Sequence, residues 1–214
     1  MTTTSVALRD VIAVQQQFPL LSGVSLTLST GSLTVVTGAN GSGKTSLLRL
    51  LAGVLPVTSG TAMVLGVDIA SHHADVRQRV GWLGHDGSFY ADLSVEENLV
   101  FAASALGRPV ADIVPALERV GLAHRRTVRT KDLSAGQRRR LGLAWLLVRR
   151  AELWLLDEPY ASLDDQGRQF FDELLSDVQR AGATVVMSAH DALRSTTLDP
   201  DVVVMAGGRI VVSA

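Results

Sequence analysis

Eight consecutive residues, Gly38-Ala39-Asn40-Gly41-Ser42-Gly43-Lys44-Thr45, constrain this chain more than any other stretch. They fit the pattern G-x-x-x-x-G-K-[ST] without a gap. Ahead of them, Leu33-Thr34-Val35-Val36-Thr37 is a short β-branched strand; behind them, Ser46 to Ala52 reads as a helix closed by Gly53. Glycines let a backbone turn around a phosphate and aim its N–H groups inward. A helix N-terminus adds positive potential at the same point. Lys44 is placed to reach the outer phosphates of a nucleotide, and the Thr45 hydroxyl to ligate Mg²⁺. The plainer reading is an ordinary strand–turn–helix, and it leaves eight consistent, correctly flanked positions unexplained.

Composition narrows the classes. A chain of 214 residues suits one domain, 47% hydrophobic residues suffice for a sizeable core, and a formal net charge of −1 gives no bulk signal for nucleic acid. The absence of cysteine excludes a disulfide framework, thiol catalysis and a Cys-ligated metal. Met1 to Ser5 lacks the basic and apolar regions of a signal peptide. No Asp, Glu, Lys or Arg lies between Asp10 and Lys44, yet glutamines, Pro19, Gly23 and Gly31 break that stretch, so no membrane span is expected.

Along the chain, Val6-Ala7-Leu8 and Val11 to Val14 read as strands, and Val24 to Leu28 alternates as a half-buried antiparallel strand should. Thr61 to Leu65 and Val80 to Leu83 are further strands. Helical signals then take over. Ser94-Val95-Glu96-Glu97 is a capping box followed by Leu99, Ala102 and Leu106 on one face; Ile113, Leu117 and Val120 mark a second helix; a third begins near Ser134 and carries Leu141, Ala144, Trp145 and Val148. Strands return at Leu153 to Leu156, apolar on both faces, and at Thr184 to Met187. Between them, Asp164 or Asp165 caps a helix that turns Phe170, Leu174 and Val178 inward. A hairpin over Val202 to Val212 closes the chain.

Two further groups carry chemistry. The apolar strand Leu153 to Leu156 ends in Asp157-Glu158. Sites of parallel sheets lie at strand carboxyl ends, where both acids fall. In a phosphate-loop protein Asp157 would hold Mg²⁺, and Glu158 would orient or deprotonate a water attacking the γ-phosphate. Leu133-Ser134-Ala135-Gly136-Gln137 is the second group: Ser134 and Gln137 form a capping box, S-x-x-Q, and Gly136 keeps the first turn open. That makes a second anion-binding helix N-terminus.

Taken together the chain resembles the nucleotide-binding domain of an ATP-binding cassette (ABC) protein, over nearly its whole length and in the family's order. Gly38 to Thr45 resembles Walker A, and Leu133 to Gln137 the LSGGQ signature, with Ala135 for the first glycine. Leu153 to Glu158 resembles Walker B with its following glutamate, Ser162-Leu163-Asp164 the D-loop, and Ser188-Ala189-His190 the switch-histidine segment. The resemblance implies an α/β fold: a P-loop NTPase core with a mixed, mainly parallel sheet and an antiparallel β-flank, and an inserted helical subdomain. Residues 1–85 and 152–214 would form the core lobe and about 86–151 the helical lobe of one domain. ATP and Mg²⁺ are the implied ligands. Gly38, Ala39, Asn40, Gly41, Ser42, Gly43, Lys44, Thr45 and Ser46 would cradle phosphate, with Thr45 and Asp157 on the metal. Glu158, His190 and Lys44 would serve the reaction. A head-to-tail dimer is implied as well, in which Ser134, Gly136, Gln137 and Asp164 meet nucleotide across the interface.

Two positions depart from the family's pattern. His85 falls where the Q-loop glutamine is expected, so the usual metal and water contact is altered there. Gln15 to Gln17 occupy the place of the aromatic residue that stacks on adenine, and nearby Phe18 reads as a core residue. Trp82-Leu83-Gly84-His85 and Leu93 to Leu99 are similar to the ATPase subunit of bacterial haem exporters that serve cytochrome c maturation. The run Ala151 to Pro159 shares that similarity. Arg138-Arg139-Arg140 reads as a solvated helix face, and His72-His73 as a surface loop.

The resulting expectation is an ATPase subunit that dimerises on MgATP, as a homo- or heterodimer. It would power a separate multi-span permease, an exporter, from the cytoplasmic face of the membrane, with no nucleic acid involved. The alternative is a soluble cassette ATPase in DNA repair or translation, which usually carries a coiled-coil insertion or a second cassette; neither is present here. An intact Glu158 argues against a regulator without turnover.

Overall fold

Three short segments, rich in Val and Leu, form strands buried along their whole length. The structure is a computed structural model that describes residues 3–84, 89–161, 163–190 and 198–213. The three strands are β3 (Leu33–Thr37), β7 (Leu153–Leu156) and β8 (Thr184–Ser188). The other elements, in chain order, are β1 (Thr4–Gln15), β2 (Phe18–Ser29), α1 (Lys44–Leu51), β4 (Ser59–Val64), β5 (Val67–Asp68), α2 (His73–Arg79), β6 (Val80–Leu83), α3 (Val95–Ala105), α4 (Ile113–Arg119), α5 (Ala135–Arg149), α6 (Asp165–Arg180), β9 (Asp201–Ala206) and β10 (Arg209–Ser213).

A six-stranded sheet runs β10-β9-β3-β8-β7-β6. Within it β3 pairs in parallel with β8 and β9, β7 pairs in parallel with β8, and β10 folds back antiparallel on β9. The second sheet, β2-β1-β4-β5, is antiparallel throughout. The expected mixed, mainly parallel sheet with an antiparallel flank is thus the one observed. Because β3, β7 and β8 run in parallel, the residues that follow all three emerge at one edge.

Contacts divide the chain into two units, 1–82 with 152–214, and 83–151. The first holds both sheets. Its core joins Leu21, Leu47, Leu50, Val64, Leu155 and Val186, all fully buried. Each such side chain contributes about 1.5–3 kcal/mol through removal of apolar surface from water. The second unit is helical, with Leu99, Ile113, Leu117 and Leu141 at 1% exposure or less. Ser94 caps α3 through a complete capping box with Glu97, whose carboxylate is held below the usual range by the Ser94 backbone N–H and hydroxyl. Among the described residues no helix is long and apolar enough to cross a membrane.

Several sequence expectations change. Val6 to Leu8 and Val11 to Val14 belong to one strand, β1, bent by a bulge at which Asp10 takes a left-handed φ of 46°. The Asp10 N–H, released from the ladder, donates to Ser25 Oγ at 3.0 Å. Phe18 is not a core residue: it is 73% exposed. It opens β2 beside the two-residue turn Gln16-Gln17, whose positive φ values match the twist of a tight hairpin. On α6 the inward aromatic is Phe171 rather than Phe170, with Leu174, Leu175 and Val178. Arg138 and Arg140 are not merely solvated; they donate to the Leu133 and Val120 carbonyls at 2.6 and 3.0 Å.

Candidate functional site

The phosphate loop is built by backbone that only glycine tolerates. Gly38, Gly41 and Gly43 have φ of 144°, 76° and 106°, in the region side chains avoid. A Cβ on Gly38 would stand 2.3 Å from the Met205 carbonyl oxygen, and one on Gly43 would stand 3.2 Å from both Gly208 Cα and the Leu20 carbonyl oxygen. The β9–β10 turn clamps the loop from outside: Gly208 N–H donates to the Ser42 carbonyl, and Ser22 N–H to the Gly208 carbonyl, both at 2.9 Å. Lys44, only 6% exposed, folds its ammonium over the loop and donates to the Gly38 and Ala39 carbonyls at 2.7 and 3.1 Å. The Ser42 hydroxyl oxygen is buried and has no hydrogen-bond partner among the described residues. Buried hydroxyls are rarely left so. This one fits a loop shaped to hold an anion.

The next residues of the parallel strands gather beside it. Thr45 Oγ1, on α1, lies 3.0 Å from Asp157 Oδ2, just past the end of β7. Ser188, the last residue of β8, donates to Asp157 Oδ1 at 2.6 Å and accepts from Glu158 N–H at 2.9 Å. His190 Nε2 stands 2.9 Å from Glu158 Oε1. Its approach is set by Ala189 N–H, which donates to the Val36 carbonyl at 2.9 Å and ties the segment to β3. Glu158 itself has a left-handed φ of 49°. The structure thus brings Lys44, Thr45, Asp157, Glu158 and His190 to one edge of one sheet. The hydroxyl and carboxylate at Thr45 and Asp157 are hard oxygen donors, suited to Mg²⁺ sharing its shell with phosphate and water. Among the described residues no cluster of three or more His, Cys, Asp or Glu could hold a metal unaided.

Beyond Glu158 the chain is pinned by Tyr160, whose hydroxyl donates to Asp172 and whose ring packs edge-on against Phe171, 5.0 Å between centroids. Burial and that bond raise the phenol well above its ordinary range. Asp164 caps α6, accepting from Gly167 N–H at 2.7 Å. In the helical unit, Ser134 and Gln137 form the reciprocal box that opens α5: Gln137 N–H donates to Ser134 Oγ at 3.2 Å, and Ser134 N–H to Gln137 Oε1 at 3.0 Å. A Cβ added to Gly136 would meet nothing within 4 Å among the described residues, so the first turn of α5 stands open there. His85 and Ser162 lie outside the described residues.

Ser188 belongs to the segment Ser188-Ala189-His190, whose pattern assigns a role to the histidine alone. A hydroxyl ending a buried strand next to the carboxylate strand was the available signal. Asn98 lies in the run Leu93 to Leu99, and its sequence context assigns it no role of its own. It is fully buried, accepts from Tyr90 N–H at 2.9 Å and donates to the Tyr90 carbonyl and Thr130 Oγ1.

Known proteins place this geometry. The ABC transporter family profile matches residues 21–161. The cytochrome c biogenesis ATP-binding export protein CcmA of Rhodopseudomonas palustris (strain BisB5) is 40% identical over 174 residues, 81% of this chain and 86% of that protein. Its namesake in Methylococcus capsulatus is 43% identical over 176 residues, 81% of this chain and 85% of that protein. Among solved structures, cbiO1 from Clostridium perfringens, part of the ABC transporter complex cbiONQ, superposes with a TM-score of 0.87 at 26% identity, covering 99% of this chain and 88% of that one. The chain belongs to the ABC transporter family, as one of its ATP-hydrolysing subunits, which dimerise and work with a membrane permease.

Proposed function

We propose that this chain hydrolyses MgATP to drive an export step of cytochrome c biogenesis through a separate multi-span permease, seated at the cytoplasmic face of the membrane. The observation that carries the chemistry is the row formed by Thr45, Asp157, Ser188, Glu158 and His190, linked by contacts of 2.6 to 3.2 Å. In-line attack on a γ-phosphate needs a bound phosphate, a charge-neutralising cation and an oriented water. Backbone N–H groups of 38–45 and the Lys44 ammonium bind the phosphates, and the Ser42 hydroxyl gains a partner among their oxygens. Thr45 and Asp157 would hold Mg²⁺, which would supply the positive charge that phosphoryl transfer needs. Glu158 takes the proton of the attacking water, and His190 fixes the Glu158 carboxylate while facing the γ-phosphate.

The second half of the site comes from the α5 N-terminus of a partner subunit. Ser134 accepts from Gln137 N–H, which leaves its hydroxyl proton to donate, and the open first turn at Gly136 lets a phosphate approach the exposed N–H groups. ATP then joins two subunits, and hydrolysis releases them. Asp164, at the N-cap of α6, would meet the partner at the same interface.

The export assignment is supported by relatives about 40% identical over most of the chain and named for cytochrome c biogenesis; haem is the cargo it implies. Replacing the corresponding subunit in a bacterium that needs this system for cytochrome c tests it directly. The chain restores covalently haem-stained cytochrome c, and Glu158→Gln does not. A chain that hydrolyses ATP yet restores no cytochrome c would overturn the export reading and leave the ATPase intact.

A further inference from the structure

We propose that Ser188 is a positioning residue that sets both carboxylates of the site with one hydroxyl. The inference rests on the roles given above to Asp157 and Glu158. β7 and β8 pair in parallel with Leu156 opposite Met187, so the next pair along brings Asp157 level with Ser188. Ser188 is fully buried, and its Oγ lies 2.6 Å from Asp157 Oδ1 and 2.9 Å from the Glu158 nitrogen. A backbone N–H can only donate. The hydroxyl therefore accepts from Glu158, and its single proton is committed to Asp157.

Two consequences follow from that assignment. The terminal torsion of an aspartate is otherwise broad and roughly two-fold. With Oδ1 held by Ser188, Oδ2, the oxygen nearer Thr45 at 3.0 Å, is the one presented to a cation. Glu158, for its part, sits at φ 49°, where a non-glycine residue persists only if its surroundings over-determine it. Its N–H is tied to Ser188 and its carboxylate to His190. The same hydroxyl thus orders the metal-side oxygen and holds the backbone from which the proposed base projects. Burial away from water strengthens both bonds.

Full-length Ser188→Ala, Ser188→Thr and Ser188→Cys variants test this beside the natural chain. Steady-state hydrolysis is measured across a Mg²⁺ titration, and equilibrium ATP binding is measured in Mg²⁺ and in EDTA. For Ser188→Ala, kcat falls about 10- to 100-fold, the scale of one lost charge-assisted hydrogen bond, with KM for ATP little changed. The Mg²⁺ concentration for half-maximal enhancement of ATP binding rises several-fold. ATP affinity in EDTA stays at the natural value, because the phosphate loop is untouched. Ser188→Thr, which keeps a hydroxyl, restores both the rate and the Mg²⁺ midpoint. Should Ser188→Ala fail to fold, Ser188→Cys, with its weak donor, shows the raised midpoint against Ser188→Thr. An unchanged kcat and Mg²⁺ midpoint in Ser188→Ala would overturn the inference, as would equal losses of affinity in Mg²⁺ and EDTA. Absence of hydrolysis in the natural chain would count against the proposed function instead, while the binding arm still reads Ser188.

Discussion

His190 Nε2 stands 2.9 Å from Glu158 Oε1, a contact that joins the segments following two adjacent parallel strands. It holds the carboxylate at the sheet edge where Asp157 and Thr45 also meet. Replacing Glu158 by glutamine keeps the shape and an oxygen for His190 but removes the ability to accept a proton. Turnover in Glu158→Gln is expected to fall by about 10²-fold or more, the scale of general-base catalysis. ATP binding is expected to survive. Phosphate release and equilibrium nucleotide binding check the two halves, and undiminished release would remove Glu158 from the role of base.

Lys44 makes a second prediction. Its ammonium is nearly buried and donates to two carbonyls of its own loop. Carbonyl dipoles compensate a cation less well than phosphate oxygens do. Lys44→Ala is expected to weaken ATP binding by about 10²-fold, the equivalent of losing a strong charge-assisted contact. Titration of a fluorescent ATP analogue, with circular dichroism as the control for folding, measures it. Retained affinity would show that the loop backbone binds phosphate without the lysine.

Much of the fold was legible because its signals are local. The glycine spacing at 38–43, the unbroken apolar run at Leu153 to Leu156 and the capping boxes at Ser94 and Ser134 each declare their conformation within a few residues. What was not legible depends on partners distant in sequence. The bulge at Asp10 is satisfied by Ser25, and the outward Phe18 follows from a turn made of two left-handed glutamines, residues that do not advertise that conformation. Ser188 has meaning only because β7 and β8 lie side by side, a pairing between residues more than two dozen positions apart. Phe171 displaced Phe170 because adjacent aromatics on a helix differ by about 100° in direction, and periodicity read a residue early points the wrong one inward.

Asn98 shows what a buried amide can carry. It is fully inaccessible and bonds to both backbone groups of Tyr90, the Ser94 carbonyl and Thr130 Oγ1 at 2.9 to 3.1 Å. It thereby fixes the approach to α3 against the segment before α5. Asn98→Ala strands several of these groups without water, and the expected loss is about 2–4 kcal/mol. Urea unfolding followed by tryptophan fluorescence gives the figure. A loss below about 1 kcal/mol would mean that the segment finds other partners.

Phe18 and Leu21 lie three residues apart on β2 but differ completely in burial, 73% exposed against 0%. Hydrophobicity alone would put the larger side chain inside. Strict alternation would group Phe18 with Val24, Leu26 and Leu28; the register shifts of the β1–β2 ladder break that phase, so Leu21 points into the core with those three while Phe18 stands beside the turn. Leu21→Ala is therefore expected to cost about 2–5 kcal/mol through lost burial and a residual cavity. Phe18→Ala, which opens no cavity, should stay within about 0.5 kcal/mol of the natural chain. Thermal and urea unfolding of the pair separates the two positions. Equal losses would mean that Phe18 is buried after all, and that the left-handed turn at Gln16 and Gln17 does not hold it outward.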